Sequence, residues 1–148
     1  MREATAADLP AIIAMLYDDE TGRTREDPSV PLDLRYVAAF EAIARDPNQH
    51  LIVAELDGEP IGTMQLSFLP GLSFRGSWRG QIEAVRIASH RRGQRLGEQM
   101  ILWAVEQCRA RDCKMVQLTS TASRTAAHRF YERLGFAKTH VGMKLQLR

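Results

Sequence analysis

Two hydrophobic periods alternate along the chain, and the switches between them mark its elements. From Ala7 to Leu16, the residues Leu9, Ile12, Ile13 and Leu16 follow helical spacing. Asp8 stands at the start of this helix, and Pro10 falls in the first turn, where a missing N–H costs little. Tyr17 to Pro31 is polar, contains Gly22, Pro28 and Pro31, and reads as a loop. A second helix is predicted over Leu32–Ala44, ending before Asp46-Pro47-Asn48. The period then shortens. His50–Leu56 and Pro60–Phe68 read as strands joined at the turn Asp57-Gly58. Leu69–Gly80, with one proline and three glycines, reads as a loop or irregular hairpin.

Gln81–Ala88 predicts another strand, with Ile82 and Ala84 on one face and Glu83, Val85 and Ile87 on the other. Arg95–Arg111 returns to helical spacing, its apolar side formed by Leu96, Met100, Ile101, Trp103, Ala104, Val105 and Cys108. Met115–Thr119 reads as a short buried strand. Thr125–Leu134 reads as a helix with Ala127, Phe130 and Leu134 on one stripe, stopped by Gly135. Phe136–Leu147 is expected to supply the final strands, with Met143, Leu145 and Leu147 alternating. The order predicts an α/β fold (an α+β mixed sheet flanked by helices) built as one domain over residues 1–148.

Composition narrows the function classes. A chain of 148 residues, 45% hydrophobic and 26% charged, can bury a core without disulfides or metals. A net charge of +2 is too mild to imply nucleic acid, and the arginines are interleaved with acids without an aromatic platform. Met100–Val105, the longest apolar stretch, is too short to cross a bilayer, and the first residues lack the core of a signal peptide. The expected setting is cytoplasmic. Cys108 and Cys113 read as reduced packing residues, since neither has a His partner for nucleophilic chemistry. His50, His90, His128 and His140 lack metal-ligand spacing, so no metal is expected.

The candidate chemistry centres on Ser89-His90-Arg91-Arg92-Gly93-Gln94-Arg95-Leu96-Gly97, between a strand and the longest helix. The first N–H groups of a helix have no internal partners and bind anions. Gly93 lets the backbone turn, Gly97 keeps the first helical turn slim, and Arg91, Arg92 and Arg95 add positive charge. The segment has neither the Lys-Ser/Thr ending of a P-loop nor the spacing of a dinucleotide fold. Taken alone, it is equally a solvated basic helix start.

Its neighbours resolve the choice. Val85-Arg86-Ile87 followed by Arg92-Gly93-Gln94-Arg95-Leu96-Gly97 resembles the R/Q-x-x-G-x-G/A signature of the GNAT superfamily of acyl-CoA N-acyltransferases. Ala127-His128-Arg129-Phe130-Tyr131-Glu132-Arg133-Leu134-Gly135-Phe136 is similar to the A-x-x-F-Y-x-x-x-G-F run of the same family. Arg2 to Leu9 resembles its amino terminus. Arg95 replaces the first glycine of the signature, at a position read as helical enough to accept Arg and direct it to a phosphate. Arg124 replaces the Asn that opens the second run.

The resemblance implies acetyl transfer from acetyl-CoA to a primary amine by direct attack in a ternary complex. The acceptor would be a small molecule or an exposed protein amine. An acyl-CoA-binding regulatory module without turnover is the alternative. The backbone of Val85, Arg86 and Ile87 would hold the pantetheine arm. Arg92, Gly93, Gln94, Arg95, Leu96 and Gly97 would hold the pyrophosphate, and Arg124 would contact the cofactor. Tyr131 would protonate the departing thiolate, its other reading being a core aromatic.

Glu83 is the candidate base, because a carboxylate on an apolar strand face becomes a better proton acceptor; otherwise it reaches solvent or pairs with Arg86 or Arg79. For the acceptor, Asp18, Asp19 and Glu20 suit a cationic amine, while Arg75 and Arg79 near Trp78 suit an anionic group; the other reading of each is a solvated surface charge. The wider pattern is similar to small-amine and aminoalkylphosphonate acetyltransferases within the family. The resemblance also implies homodimers through strand-edge pairing.

Overall fold

A computed structural model describes residues 1–19 and 21–147. The period-two segments form one five-stranded sheet in the order β1 (Arg2–Glu3), β2 (Gln49–Leu56), β3 (Glu59–Pro70), β4 (Trp78–Ile87) and β5 (Met115–Leu118). The first four are antiparallel neighbours, and β5 runs parallel to β4. Helices α1 (Leu9–Tyr17), α2 (Leu34–Arg45), α4 (Leu96–Ala110) and α5 (Thr125–Arg133) follow the sequence pattern within two residues at each end. The expected loop between β3 and β4 is shorter than its prolines and glycines suggest. It closes around one turn, α3 (Ser73–Gly76), in which Phe74, Arg75 and Gly76 have φ of 52°, 61° and 79°.

Each sheet face takes its own helices. Met64, Leu66, Phe68 and Ile82 pack with Met100, Ile101, Ala104 and Cys108 of α4. The helix sits so close that a Cβ added to Gly80 would lie 2.2 Å from Cys108 Sγ. The opposite face carries Val53 and Thr63 beneath α1, which buries Leu9, Ile12, Ile13 and Met15. The start of α1 is fixed by Asp8. Its carboxylate accepts from the Thr5 N–H at 2.7 Å, the Thr5 hydroxyl at 2.9 Å and both Arg2 terminal nitrogens at 2.7 and 2.8 Å.

β4 departs from simple alternation. Thr63 opposes Arg86 and Gln65 opposes Glu83, so Met64 alone faces the two residues Ala84 and Val85. This is a β-bulge, with Ala84 at φ 53°. Directly opposed residues share a face. Glu83 and Arg86 therefore lie with Gln65 and Thr63 on the α1–α2 side. Ile82 and Ile87 oppose Leu66 and Gly62 on the α4 side, and Val85 packs there too. The expectation that Glu83 shares a face with Val85 and Ile87 is thus overturned, because one inserted residue inverts the register that alternation assumes.

The expected final strands are also absent among the described residues. After Phe136, whose N–H donates to the Tyr131 carbonyl at 3.1 Å, residues 137–147 adopt no regular structure and leave the body of the fold. Val141, Met143, Leu145 and Leu147 are each at least 85% exposed.

Candidate active site

The parallel β4–β5 pairing runs from Arg79 opposite Met115 to Ile82 opposite Leu118, and stops there. β4 continues for five residues, from Glu83 to Ile87, with that edge unpaired among the described residues. The sheet therefore opens into a notch whose wall offers free backbone donors and acceptors. An extended ligand can dock along such an edge as an added strand does.

The notch leads to the glycine-containing turn. Ser89–Arg91 forms one 3-10 turn, Gly93 has φ 79°, and α4 begins after Arg95 without a side-chain cap. The first backbone bond at this helix end runs from Gln99 N–H to the Arg95 carbonyl, at 3.1 Å. The amides ahead of it are the uncapped donors that an anion needs. Gly97 lies close to two residues of the notch: an added Cβ would sit 3.7 Å from Phe130 and 3.9 Å from Ile87. Gln94 and Leu96 complete the turn, Gln94 exposed and Leu96 half-buried against the core.

Arg95 corrects the expectation of helical backbone. It is left-handed, at φ 58° and ψ 15°, a conformation that glycine takes without cost and arginine does not. Its guanidinium is exposed and bound in parallel by Glu98, with Nε at 3.0 Å and the terminal nitrogen at 2.8 Å. Arg92 reaches Asp18 at 2.9 Å, and Arg91 reaches Glu59 at 3.4 Å. Each arginine of the turn thus already has an acidic partner.

On the α1–α2 side of the notch, Arg86 bonds Asp19 at 2.8 Å, so it is not the partner of Glu83. Its Nε is buried without a hydrogen-bond partner among the described residues. Arg124, at the start of α5, and Arg25 lie within electrostatic reach of Arg86. Asp18 and Asp19 are therefore engaged by arginines of the site and do not wait for a cation. Glu20 falls outside the described residues.

Tyr131 is half-buried and stacked edge-on between Phe130 at 5.1 Å and Phe136 at 5.9 Å. Burial raises its phenol above the ordinary value, while Arg124 and Arg86 pull in the other direction. The net result keeps the proton on oxygen, as a hydrogen-bond donor requires. The sequence left open whether this ring packs or reacts, and its surroundings suit both.

Glu83 is exposed, not set in an apolar face. It lines an open recess of about 450 Å³ between the sheet and α2, with Ala42, Ile43, Gln65, Ser67 and Gln81. Gln49 accepts from Gln65 at 3.0 Å and from Ser67 at 2.6 Å, and Gln117 donates to Gln81 at 2.7 Å. Sequence reading passed over these polar residues. Their alternation along β2, β3, β4 and β5 was the available signal, and it reads as an ordinary solvent face. Arg79 shares this face toward the far end of β4, and Arg75 lies in the hairpin turn beyond, so neither joins the notch. Cys108 is buried with its thiol pushed up to about 12, as packing residues are.

A mixed sheet with a notch in its β4 edge beside an uncapped helix start defines the class of acyl-CoA N-acyltransferases. A profile of the Acetyltransferase (GNAT) family matches residues 13–136, and the chain belongs to that family: it is an N-acetyltransferase of the kind that depends on acetyl-CoA. It is 29% identical to an aminoalkylphosphonate N-acetyltransferase of Salmonella typhimurium, over 95% of this chain and 86% of the other. It is 32% identical to an L-methionine sulfoximine/L-methionine sulfone acetyltransferase of Pseudomonas paraeruginosa, over 92% and 78%. A solved structure described as a transcriptional regulator from Bacillus halodurans C-125 shares 46% identity, with a TM-score of 0.96 over 99% of this chain and 97% of that one.

Proposed function

We propose that the chain transfers the acetyl group of acetyl-CoA to the primary amine of a small molecule that also carries an acidic group. The unpaired β4 edge from Glu83 to Ile87, opening beside the uncapped start of α4, carries this reading. The backbone of Val85, Arg86 and Ile87 holds the pantetheine arm. The amides from Gly93 to Gly97 take the pyrophosphate, with Arg92 and Arg124 flanking the cofactor.

The acceptor enters from the α1–α2 side, through the recess that Glu83 lines. Glu83 removes the ammonium proton directly or through water, and the free amine attacks the thioester carbonyl. A backbone N–H of β4 stabilises the oxyanion. As the C–S bond breaks, Tyr131 gives its proton to the leaving thiolate.

The acidic group is assigned from Arg86. A half-buried guanidinium whose Nε has no partner among the described residues, flanked by Arg25 and Arg124, suits a phosphonate or carboxylate. The named substrates of the Salmonella and Pseudomonas relatives carry such groups. Acetyl-CoA is a charged metabolite that does not cross membranes unaided, so this reading also implies a cytoplasmic setting.

The test is acetyl transfer to paired amines that differ only in the acidic group, such as an aminoalkylphosphonate against the matching alkylamine. Equal kcat/KM within each pair would remove the acidic requirement. The relative described as a transcriptional regulator favours a second reading, a module that binds acyl-CoA without turnover. CoA binding without transfer to any amine would establish it.

A further inference from the structure

We infer that the acceptor carries a side chain ending in a neutral hydrogen-bonding group of the carboxamide class, received by a row of glutamines beside Glu83. The inference rests on the reaction proposed above and adds the group that the recess selects. Along the α1–α2 face of β4 stand the Gln81 amide, the Glu83 carboxylate and, across the bulge, the Arg86 guanidinium. Each step is roughly 7 Å, two residues of strand rise, with the bulge absorbing the extra residue of the second step. A ligand lying along that face meets a neutral polar group, then a base, then a cation. With its ammonium at Glu83 and its acidic group at Arg86, the rest of the molecule points toward Gln81.

The floor there is a lateral row across the sheet. Gln49 opposes Ser67, Ser67 opposes Gln81, and Gln81 opposes Gln117. The Gln49 amide oxygen accepts from Ser67 Oγ at 2.6 Å and from Gln65 Nε2 at 3.0 Å, and the Gln81 oxygen accepts from Gln117 Nε2 at 2.7 Å. An amide has an acceptor oxygen and a nitrogen with two donors. Gln49 and Gln81 thus spend their oxygens on neighbours and keep their nitrogens for a ligand. Among the described residues, the Gln49 nitrogen has no partner, and that of Gln81 has only the Ile82 carbonyl at 3.5 Å. Gln65 is used the other way round, with its nitrogen bonded and its oxygen open. Two donors and an acceptor facing one recess are the complement of a carboxamide.

Charge excludes the alternatives. Glu83 and Asp46 are the charged residues that line the recess, and both are acidic. Arg79, next along this face, turns its guanidinium toward the β3–β4 turn, where a Cβ added to Gly71 would lie 3.9 Å from its terminal nitrogen. A side-chain carboxylate would therefore sit unpaired beside like charges. A cationic side chain would pair with Glu83 and keep it from the ammonium. An apolar one would cover the open amide ends without bonding them.

The experiment keeps the α-amino and α-carboxylate groups constant and varies the side chain. Ligand-observed NMR on the full chain saturated with CoA gives dissociation constants for glutamine, its isostere glutamate, and norleucine. Glutamine is expected to bind more tightly than either by about tenfold or more, the scale of a hydrogen bond or charge left unmatched in a site. Gln81→Leu should erase the advantage over norleucine and keep the rejection of glutamate. Should that variant fail to fold, the wild-type ranking decides alone. Glutamate or norleucine binding as well as glutamine overturns the assignment, and so does an absence of binding by all three. An advantage over norleucine that survives in folded Gln81→Leu overturns it too. Acetyl transfer is scored separately. The expected ranking without transfer supports the recess assignment and removes the proposed reaction, whereas transfer to all three at equal kcat/KM does the reverse.

Discussion

Glu83 and Arg86 stand three residues apart on β4 and still share one face of the sheet, because the strand carries one extra residue between them, at Ala84, opposite Met64 alone. Without the bulge they would point to opposite sides. The pairing brings a carboxylate with a free line to solvent and a half-buried guanidinium onto the α1–α2 side of the notch.

Glu83→Gln keeps the shape of the side chain and removes its basicity. We expect kcat to fall by about 10²–10⁴-fold at neutral pH, the usual scale for general acid–base catalysis, with the melting temperature unchanged. Steady-state kinetics at saturating acetyl-CoA measures it. A rise in amine KM with intact kcat would instead make Glu83 a binding group.

Tyr131→Phe should lower kcat by roughly 10²-fold without weakening CoA binding. The phenol is raised by burial, so its folded pKa lies above the ordinary value of about 10. The protonated, active form therefore persists through neutral and mildly alkaline pH. Loss of kcat from this group should begin only above that range, and the limb should vanish in the Phe variant. A profile identical to wild type would leave the ring a packing residue.

Arg95→Gly relieves a left-handed arginine, worth about 1 kcal/mol before the greater freedom of glycine in the unfolded chain is counted. The Glu98 pair is exposed and contributes little. We expect the melting temperature to hold or rise slightly and CoA affinity to stay within about twofold, or about 0.4 kcal/mol. Calorimetric titration decides it. A loss beyond tenfold would place the guanidinium on the cofactor.

Gly80→Ala puts a methyl group 2.2 Å from Cys108 Sγ and should cost on the order of 1–3 kcal/mol, as overpacking does. Cys108→Ala removes the obstructing sulfur. Denaturation of the double variant should recover most of the loss in a double-mutant cycle. Additive costs would mean that α4 retreats from the sheet rather than clashing.

Asp8 carries a pH signature. Its folded pKa is held well below the usual carboxylate range, first by the Arg2 hydrogen bonds. A depressed carboxyl adds stability in full above its unfolded value, about 3.9, and that contribution is lost as pH falls toward the folded value. Asp8→Asn should therefore cost about 2 kcal/mol at pH 7, with the gap from wild type closing below about pH 4. A constant gap across that range would exclude the ionised carboxylate as the source.

Most of this architecture is legible in the sequence because α4 and the β2–β3 hairpin carry long, unbroken periods. The turn at Asp57 and Gly58 is legible for the same local reason, both residues adopting positive φ. The faces of β4 were misread, since a period-two reading has no means to register an inserted residue. Ala84 carries no compositional mark of a bulge. The left-handed backbone of Arg95 was hidden likewise, because the residue type argues against the conformation it adopts. For Val141 to Leu147 the alternation reads as a strand, but alternation does not supply a pairing strand, and the segment has no sheet partner among the described residues. The polar residues Gln49, Gln65 and Gln81 looked like solvent contacts until the fold placed them around one recess.

Ala84 also separates two kinds of inheritance within a single strand. Residues before it are answerable to the packing of α4 through Gly80 and Ile82, while those after it form the rim of the notch. The phase between these halves is set by a count of residues and not by the chemistry of any of them. Drift in the residues on the α1–α2 side can therefore change that face of the notch while the core stays as it is.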